Sequence, residues 1–281
     1  MERGLLAEID LQAVSHNFSL IRQITGGRPV IAVVKADAYG HGAVQVYKRL
    51  AGDGAEYFAV AFMDEARELR ESGINTPIIV LFDPDVHEAF DYNLTPTVVT
   101  HGTAVALSRE AERRGRNIKI HIKVDTGMGR LGFRGSALSD ILEIASLKGI
   151  TIEGIMSHFS DADLSDRSFA CSQIDAFNVL RTELTAAGLH IPLYHLANSA
   201  AVMALPESHC DAVRPGIMLY GYSPFGPVSH EMPGLIPAMS LTARMLSLRR
   251  LPAGACISYG RTFVTERESL IGVMAAGYAD G

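Results

Sequence analysis

Eight short apolar runs, separated by segments with helical spacing, are the feature of this sequence that most restricts its fold. The runs begin near Val30, Tyr57, Pro77, Thr97, Ile118, Ile152, Ile191 and Ala212. Apolar runs that alternate with helical patterns indicate a parallel sheet built from βα units. Eight such units favour a closed (β/α)8 barrel, the TIM-barrel class of α/β fold, over an open sheet.

The pattern changes after about Met232, where the segments MSLTARMLSLRRL, ACISYG and SLIGVMAAGY follow each other through Pro and Gly turns. Strands joined directly by turns indicate antiparallel β structure. We therefore predict a barrel over residues 1–231 and a mainly β domain over residues 232–281, with residues 1–10 able to pair with the latter. Because the sequence stops directly after an apolar strand, we expect this β domain to be incomplete.

The composition excludes several classes of protein. Hydrophobic residues make up 48% and charged residues 20% of the chain, as in ordinary soluble globular proteins. No apolar run approaches the ~20 residues that span a bilayer, and charges interrupt the first ten residues too often for a signal peptide. We expect a cytoplasmic protein with no membrane partner. The net charge of −6 argues against a nucleic-acid partner, and three widely spaced cysteines predict neither a disulfide framework nor a metal site.

Lys35 closes the first apolar run, at the strand end where barrel enzymes carry their reactive groups. Lysine is rarely buried without a partner. A surface lysine whose amine reaches solvent is one interpretation of this position. A lysine that binds a carbonyl compound covalently is the other, and the position at the carboxyl end of a barrel strand favours it.

The later runs end in further candidate residues. Asn198 and Ser199 follow the seventh run, and Gly216 and Ile217 lie in the eighth, where barrels often bind phosphate through backbone N–H groups. Plain helix capping is the alternative interpretation. His158 follows the sixth run and Arg214 lies in the eighth, and each alone fits a structural role. Their shared position at one end of the barrel favours a functional site.

Seven segments of the chain resemble motifs of the alanine racemases, in the order in which that family has them. VVKADAYGHG (33–42) resembles the cofactor-lysine motif. The others are HIKVDTGMGRLGF (121–133), SHF (157–159), HLANSAA (195–201), VRPGIMLYG (213–221), ISYGRTF (257–263) and GYADG (277–281). The resemblance implies an isomerase that uses pyridoxal 5'-phosphate to interconvert L- and D-alanine and so supplies D-alanine for peptidoglycan.

The resemblance also implies roles for individual residues. Lys35 would carry the cofactor and act as the base on one face of the substrate α-carbon, and Tyr259 would contact the substrate as the base on the other face. Arg214 would face the pyridine nitrogen, oriented by His158. Arg130 would bind the substrate carboxylate, and Lys123 matches a lysine that is carbamylated in many members. The phosphate or its surroundings would be held by Tyr39, Asn198, Ser199, Gly216 and Ile217.

A head-to-tail homodimer is a further implication, in which each site borrows Tyr259 from the partner's β domain. Members of the family continue past GYADG, so we expect little activity from these 281 residues alone. Three alternatives use the same barrel. A non-catalytic pyridoxal-phosphate carrier would lack the segment from Ile257 to Gly281. An aldolase that uses Lys35 would leave Tyr259 and Arg214 without roles. A decarboxylase is disfavoured by Arg214 and the SYG segment.

Overall fold

Two compact units make up the structure, a computed structural model that describes residues 4–73, 75–135, 137–226 and 234–280. The larger unit is formed by Leu11–Ala238. The smaller unit combines the described residues up to Asp10 with those from Met239 onward. The boundary that the sequence predicts at residues 231–232 lies outside the described residues.

The larger unit is built around seven parallel strands that neighbour each other in chain order. They are β2 (Ile31–Val33), β3 (Tyr57–Val60), β4 (Ile78–Val80), β5 (Thr95–Val98), β6 (Ile118–Lys123), β7 (Ile150–Met156) and β8 (Leu193–His195). Most of their side chains are buried, as the continuous apolar runs of a parallel sheet require. Seven of the eight predicted strands are confirmed by these elements.

The eighth predicted strand is an extended segment, residues 212–215, that joins both edges of this sheet. On one side the N–H of Ile31 donates to the carbonyl of Val213 at 2.8 Å. On the other side the N–H of Arg214 donates to the carbonyl of Ala197 at 2.8 Å. These bonds close the barrel between β8 and β2, which confirms the (β/α)8 prediction. The ladder is short because Pro215 has no N–H to donate.

Helices follow the strands and pack on them through one apolar face. They are α1 (Leu11–Ile24), α3 (Ala43–Gly52), α4 (Met63–Glu71), α5 (Val86–Asp91), α6 (His101–Arg114), α7 (Ala137–Ala145), α8 (Ser168–Ala186) and α9 (Ser199–Ala204). In α3 the buried residues recur three or four positions apart, which puts them on one side of the helix. Among the described residues, no helix is long and apolar enough to cross a membrane.

The smaller unit consists of antiparallel strand pairs, so its predicted β character is confirmed. β1 (Leu5–Ile9) pairs with β9 (Met239–Ala243), and β10 (Met245–Leu251) pairs with β13 (Ser269–Met274). A short pair, β11 (Cys256–Ile257) and β12 (Phe263–Val264), flanks a 3-10 turn at Tyr259–Arg261.

Candidate active site

A cavity of about 340 Å³ lies in the barrel unit, among residues that follow the strands. Because parallel strands end at the same side of a barrel, residues far apart in sequence meet there. Ten of the eleven candidate residues from the sequence line this one cavity: Lys35, Tyr39, Lys123, Arg130, His158, Asn198, Ser199, Arg214, Gly216 and Ile217.

Lys35 opens a short left-handed turn, α2 (Lys35–Gly40), directly after β2. The residues from Ala36 to Tyr39 have φ between 51° and 56°, a conformation that costs about 1–2 kcal/mol per L-residue. Two carboxylates stabilise the turn. Asp37 accepts a hydrogen bond from the N–H of Ala43 at 2.6 Å, and Glu65 accepts one from the N–H of Ala36 at 2.5 Å. The turn leaves the Lys35 amine 6.0 Å from the centre of the Tyr39 ring.

Backbone N–H donors and hydroxyl groups converge at one end of the cavity. Asn198 caps α9 by accepting a hydrogen bond from the N–H of Ala201 at 3.0 Å, and the first N–H groups of a helix have no partner within it. Ser199 Oγ accepts from the N–H of Gly216 at 2.9 Å, which ties α9 to the eighth segment. A Cβ atom at Gly216 would lie 2.5 Å from Tyr39 Oη, so glycine is required for this close approach. Such a set of donors suits a phosphate group.

Arg214 is buried, with 4% of its surface exposed, and its described partners are imidazole nitrogens and carbonyl oxygens. Its Nη1 lies 2.8 Å from His195 Nδ1, and its Nη2 donates to the carbonyl of Ser157 at 2.5 Å. The contact with His158 Nδ1, which the resemblance implied, is longer at 3.3 Å. Burial lowers the pKa of Arg214 to about 10, so the guanidinium still carries its proton at pH 7.

Lys123 and Arg130 share one aromatic ring, that of Phe82. The Lys123 amine lies 5.7 Å and the Arg130 guanidinium carbon 5.4 Å from the ring centre, within the range of cation–π contacts. Burial, together with the nearby charges of Arg130 and Arg214, lowers the pKa of Lys123 to about 8. Phe82 was not among the residues predicted from the sequence, although it follows β4 as Lys35 follows β2, because an apolar residue at a strand end carries no reactive group.

Tyr259, the eleventh candidate, belongs to the smaller unit. It begins the 3-10 turn between β11 and β12, and the residue is 84% exposed. The preceding residue, Ser258, has a φ of 58°, a left-handed conformation that few L-residues adopt. The cavity described above is lined by residues of the barrel unit.

Comparison with known proteins identifies both units. Residues 9–224 match the family model "Alanine racemase, N-terminal domain", and residues 238–281 match "Alanine racemase, C-terminal domain". The chain is 44% identical to an alanine racemase of Carboxydothermus hydrogenoformans, with 99% of this chain and 77% of the relative covered. It is 47% identical to an alanine racemase of Thermodesulfovibrio yellowstonii, with 100% of this chain and 75% of the relative covered.

Solved structures agree with this similarity. An alanine racemase from a D-cycloserine-producing Streptomyces lavendulae superposes with a TM-score of 0.90 at 33% identity, covering 100% of this chain and 76% of that one. A biosynthetic alanine racemase from Pseudomonas aeruginosa superposes with a TM-score of 0.87 at 37% identity, covering 100% and 77%. Because both family models match and the relatives align along almost the whole chain, the protein belongs to the alanine racemase family and is an enzyme of the isomerase class.

Proposed function

We propose that the protein interconverts L- and D-alanine with pyridoxal 5'-phosphate held covalently on Lys35. One observation carries the proposal: the Lys35 amine, the Arg214 guanidinium and the donors around Ser199 line the same cavity. These are the three groups that this cofactor needs, an amine for its aldehyde, a partner for its ring nitrogen and donors for its phosphate.

The cavity fits the cofactor at both ends. Tyr39, Ser199 and the backbone at Gly216 and Ile217 would hold the phosphate, and the absence of a Cβ atom at Gly216 lets the Tyr39 hydroxyl approach this backbone. Arg214 would donate a hydrogen bond to the ring nitrogen and keep that nitrogen free of a proton, because its own pKa stays near 10. When bound, the cofactor withdraws electrons from the α-carbon of alanine and makes its proton acidic.

Racemization needs a base on each face of the α-carbon, because a proton must leave from one side and return from the other. We assign these roles to Lys35 and Tyr259. Tyr259 is 84% exposed within its own unit, which leaves its hydroxyl available to a second protein chain. We therefore propose a homodimer in which each barrel cavity is completed by Tyr259 of the other copy.

Arg130 would bind the substrate carboxylate, and Lys123 would support Arg130 once it is carbamylated. The lowered pKa of Lys123 supports this assignment, since only the neutral amine reacts with carbon dioxide. A carbamate would replace one of several crowded positive charges by a negative one. It would also remove the repulsion between Lys123 and Arg130.

The alternatives fit the chain less well. A pyridoxal-phosphate carrier with a bare barrel would not match the C-terminal domain model over residues 238–281. An aldolase would give no role to the buried Arg214. The relatives from Carboxydothermus and Thermodesulfovibrio are both alanine racemases, which favours racemization over decarboxylation. From the sequence expectations we further propose a cytoplasmic location and the supply of D-alanine for peptidoglycan.

Formation of D-alanine from L-alanine, with and without added pyridoxal phosphate, tests this proposal. We expect turnover by the intact protein that depends on the cofactor and proceeds at comparable rates in both directions. Sedimentation of the same sample tests the proposed dimer. Turnover that persists after complete removal of the cofactor would contradict the chemistry, and a monomer with full activity would contradict the shared site.

A further inference from the structure

A line of polar side chains runs through the interior of the barrel, starting at Arg214. Arg214 Nη1 lies 2.8 Å from His195 Nδ1, and His195 Nε2 lies 2.8 Å from His121 Nδ1. His121 Nε2 in turn lies 3.6 Å from Glu153 Oε2. Both imidazole rings have no exposed surface, and neither histidine was singled out in the sequence.

We propose that His195, His121 and Glu153 are positioning residues for Arg214. Two hydrogen bonds join Arg214 to His195 and His195 to His121, and the Glu153 carboxylate faces the last ring at 3.6 Å. The chain fixes the plane of the guanidinium and connects its charge to a carboxylate. The inference deepens the proposed function, since there Arg214 faces the cofactor ring. The hydrogen-bond chain itself consists only of residues of this protein and does not include the cofactor.

The direction of the chain follows from its first member. A guanidinium has only donors, so Nδ1 of His195 must accept, and a neutral His195 then carries its proton on Nε2. That proton is donated to Nδ1 of His121, which leaves the His121 proton on Nε2, facing Glu153. Burial lowers the pKa of both imidazoles, and Arg214 lowers that of His195 further. At His121 the Glu153 carboxylate raises the pKa, but burial outweighs it and the net shift is downward, which favours a neutral ring.

The backbone around Glu153 is built to place its carboxylate beside His121. In the pairing of β6 with β7, Ile120 lies opposite Ile152 and His121 lies opposite Gly154, so Glu153 is the extra residue of a β-bulge. Bulges of this kind redirect a side chain. The other carboxylate oxygen, Oε1, accepts from Lys119 at 2.6 Å, which holds Oε2 toward the histidine.

Gly154 supplies the space for the His121 ring. A Cβ atom at Gly154 would lie 2.6 Å from His121 Cε1 and 2.7 Å from Nδ1, so any side chain there would displace the ring. The glycine, the bulge and the buried histidine pair therefore form one arrangement. Consecutive hydrogen bonds in a low-dielectric interior polarise each other, so the charge of Glu153 beside His121 influences Arg214 although the two are not in contact.

The first test observes the chain directly, without cofactor. In the full chain labelled with ¹⁵N-histidine, long-range ¹H–¹⁵N NMR distinguishes protons on Nδ1 from protons on Nε2. We expect His195 and His121 to be neutral at pH 7 and protonated on Nε2 only. A proton on Nδ1 of either ring, or a cationic ring, would overturn the proposal whatever the enzyme's activity.

The second test uses variants at and beside His121, in the middle of the hydrogen-bond chain, in the intact protein with pyridoxal phosphate bound. His121→Phe breaks the chain, Gly154→Ala displaces the ring, and His121→Gln retains one acceptor and one donor. We expect His121→Phe and Gly154→Ala to lower kcat about tenfold with KM for alanine nearly unchanged, because misplacement of Arg214 affects the chemical step. We expect His121→Gln to recover part of this loss.

His209→Gln is the matched control, since His209 is also buried but its Nε2 donates to the carbonyl of Val202, outside the chain. It should leave kcat unchanged. Equal losses in the His121→Phe and His209→Gln variants would show a merely structural effect and overturn the proposal. A wild-type protein with the expected tautomers but no racemization would instead contradict the proposed function, while the hydrogen-bond chain would remain supported.

Discussion

Glu65 of α4 accepts a hydrogen bond from the backbone N–H of Ala36 at 2.5 Å, and so ties that helix to the residue after Lys35. The same carboxylate accepts from the N–H groups of Ala61 at 2.6 Å and Phe62 at 3.1 Å. Three backbone donors therefore depend on one side chain. The bond from Ala36 connects the left-handed turn to α4.

Removal of this carboxylate should destabilise both the protein and the lysine's position. We expect Glu65→Ala to lower the free energy of unfolding by about 1–3 kcal/mol, because the donors lose a charged acceptor, and to weaken cofactor binding. Urea unfolding followed by circular dichroism measures the first effect. Glu71→Ala, on the exposed face of the same helix, is the control and should change neither quantity. Equal stability of the two variants would contradict this account of the turn.

The left-handed turn is also the part of the site that the sequence could not predict. Alanine-rich KADAYG favours an ordinary right-handed helix by local propensity. The observed conformation depends on Glu65, which lies 29 residues away along the chain, and hydrogen bonds at that separation leave no periodic pattern. The position of Lys35 was predictable because it depends only on where an apolar run ends.

The barrel itself was predictable for a similar reason. Most strands lie in short runs rich in apolar residues, and the carboxyl ends of parallel strands must meet, so Lys35, His158 and Arg214 could be grouped from the sequence. The pair His121 and His195 could not, because they lie 74 residues apart and touch only when the barrel closes. Phe82 was missed because a phenylalanine at the end of an apolar run gives no chemical signal.

Gly216 offers a test of the phosphate end of the cavity. We expect Gly216→Ala to weaken pyridoxal phosphate binding about tenfold or more, roughly 1.4 kcal/mol, since the new Cβ would lie 2.5 Å from Tyr39 Oη. Titration of the apoprotein with cofactor, followed by absorbance, gives the dissociation constant. Gly52→Ala, where a Cβ meets no atom within 4 Å, should bind normally. An unchanged affinity at Gly216→Ala would place the phosphate elsewhere.

Lys123 should form a carbamate in the presence of bicarbonate. With a pKa of about 8, roughly a tenth of its amines are neutral at pH 7, against far fewer for a lysine near 10.4. The neutral fraction rises with pH, so at constant dissolved carbon dioxide the carbamate should increase between pH 7 and pH 8.5. A ¹³C NMR signal from ¹³C-bicarbonate measures it.

The control for this signal compares variants in which different lysines are removed. Lys123→Ala should abolish the carbamate resonance, whereas Lys148→Ala, at a side chain that is 84% exposed, should retain it. A resonance that survives in Lys123→Ala would assign the carbamate to another amine. The absence of any resonance in the wild-type protein would contradict the carbamate and leave Lys123 as an unmodified amine near Arg130.

Tyr259→Phe should separate binding from catalysis. The phenyl ring keeps its shape but cannot transfer a proton, so we expect racemization by the intact protein to fall at least about a hundredfold, with cofactor absorbance unchanged. Tyr92→Phe, which removes a hydroxyl at the end of α5, should leave turnover intact. Normal turnover in Tyr259→Phe would exclude this tyrosine as the second base.

The most direct test of the whole account is the visible absorbance of the protein mixed with pyridoxal phosphate. The wild-type protein and Lys148→Ala should show the absorbance of a protein-bound cofactor, and it should resist dialysis. Lys35→Ala should show only the spectrum of the free cofactor, which dialysis removes. A bound-cofactor spectrum that persists in Lys35→Ala would contradict the assignment of Lys35 as the residue that carries the cofactor.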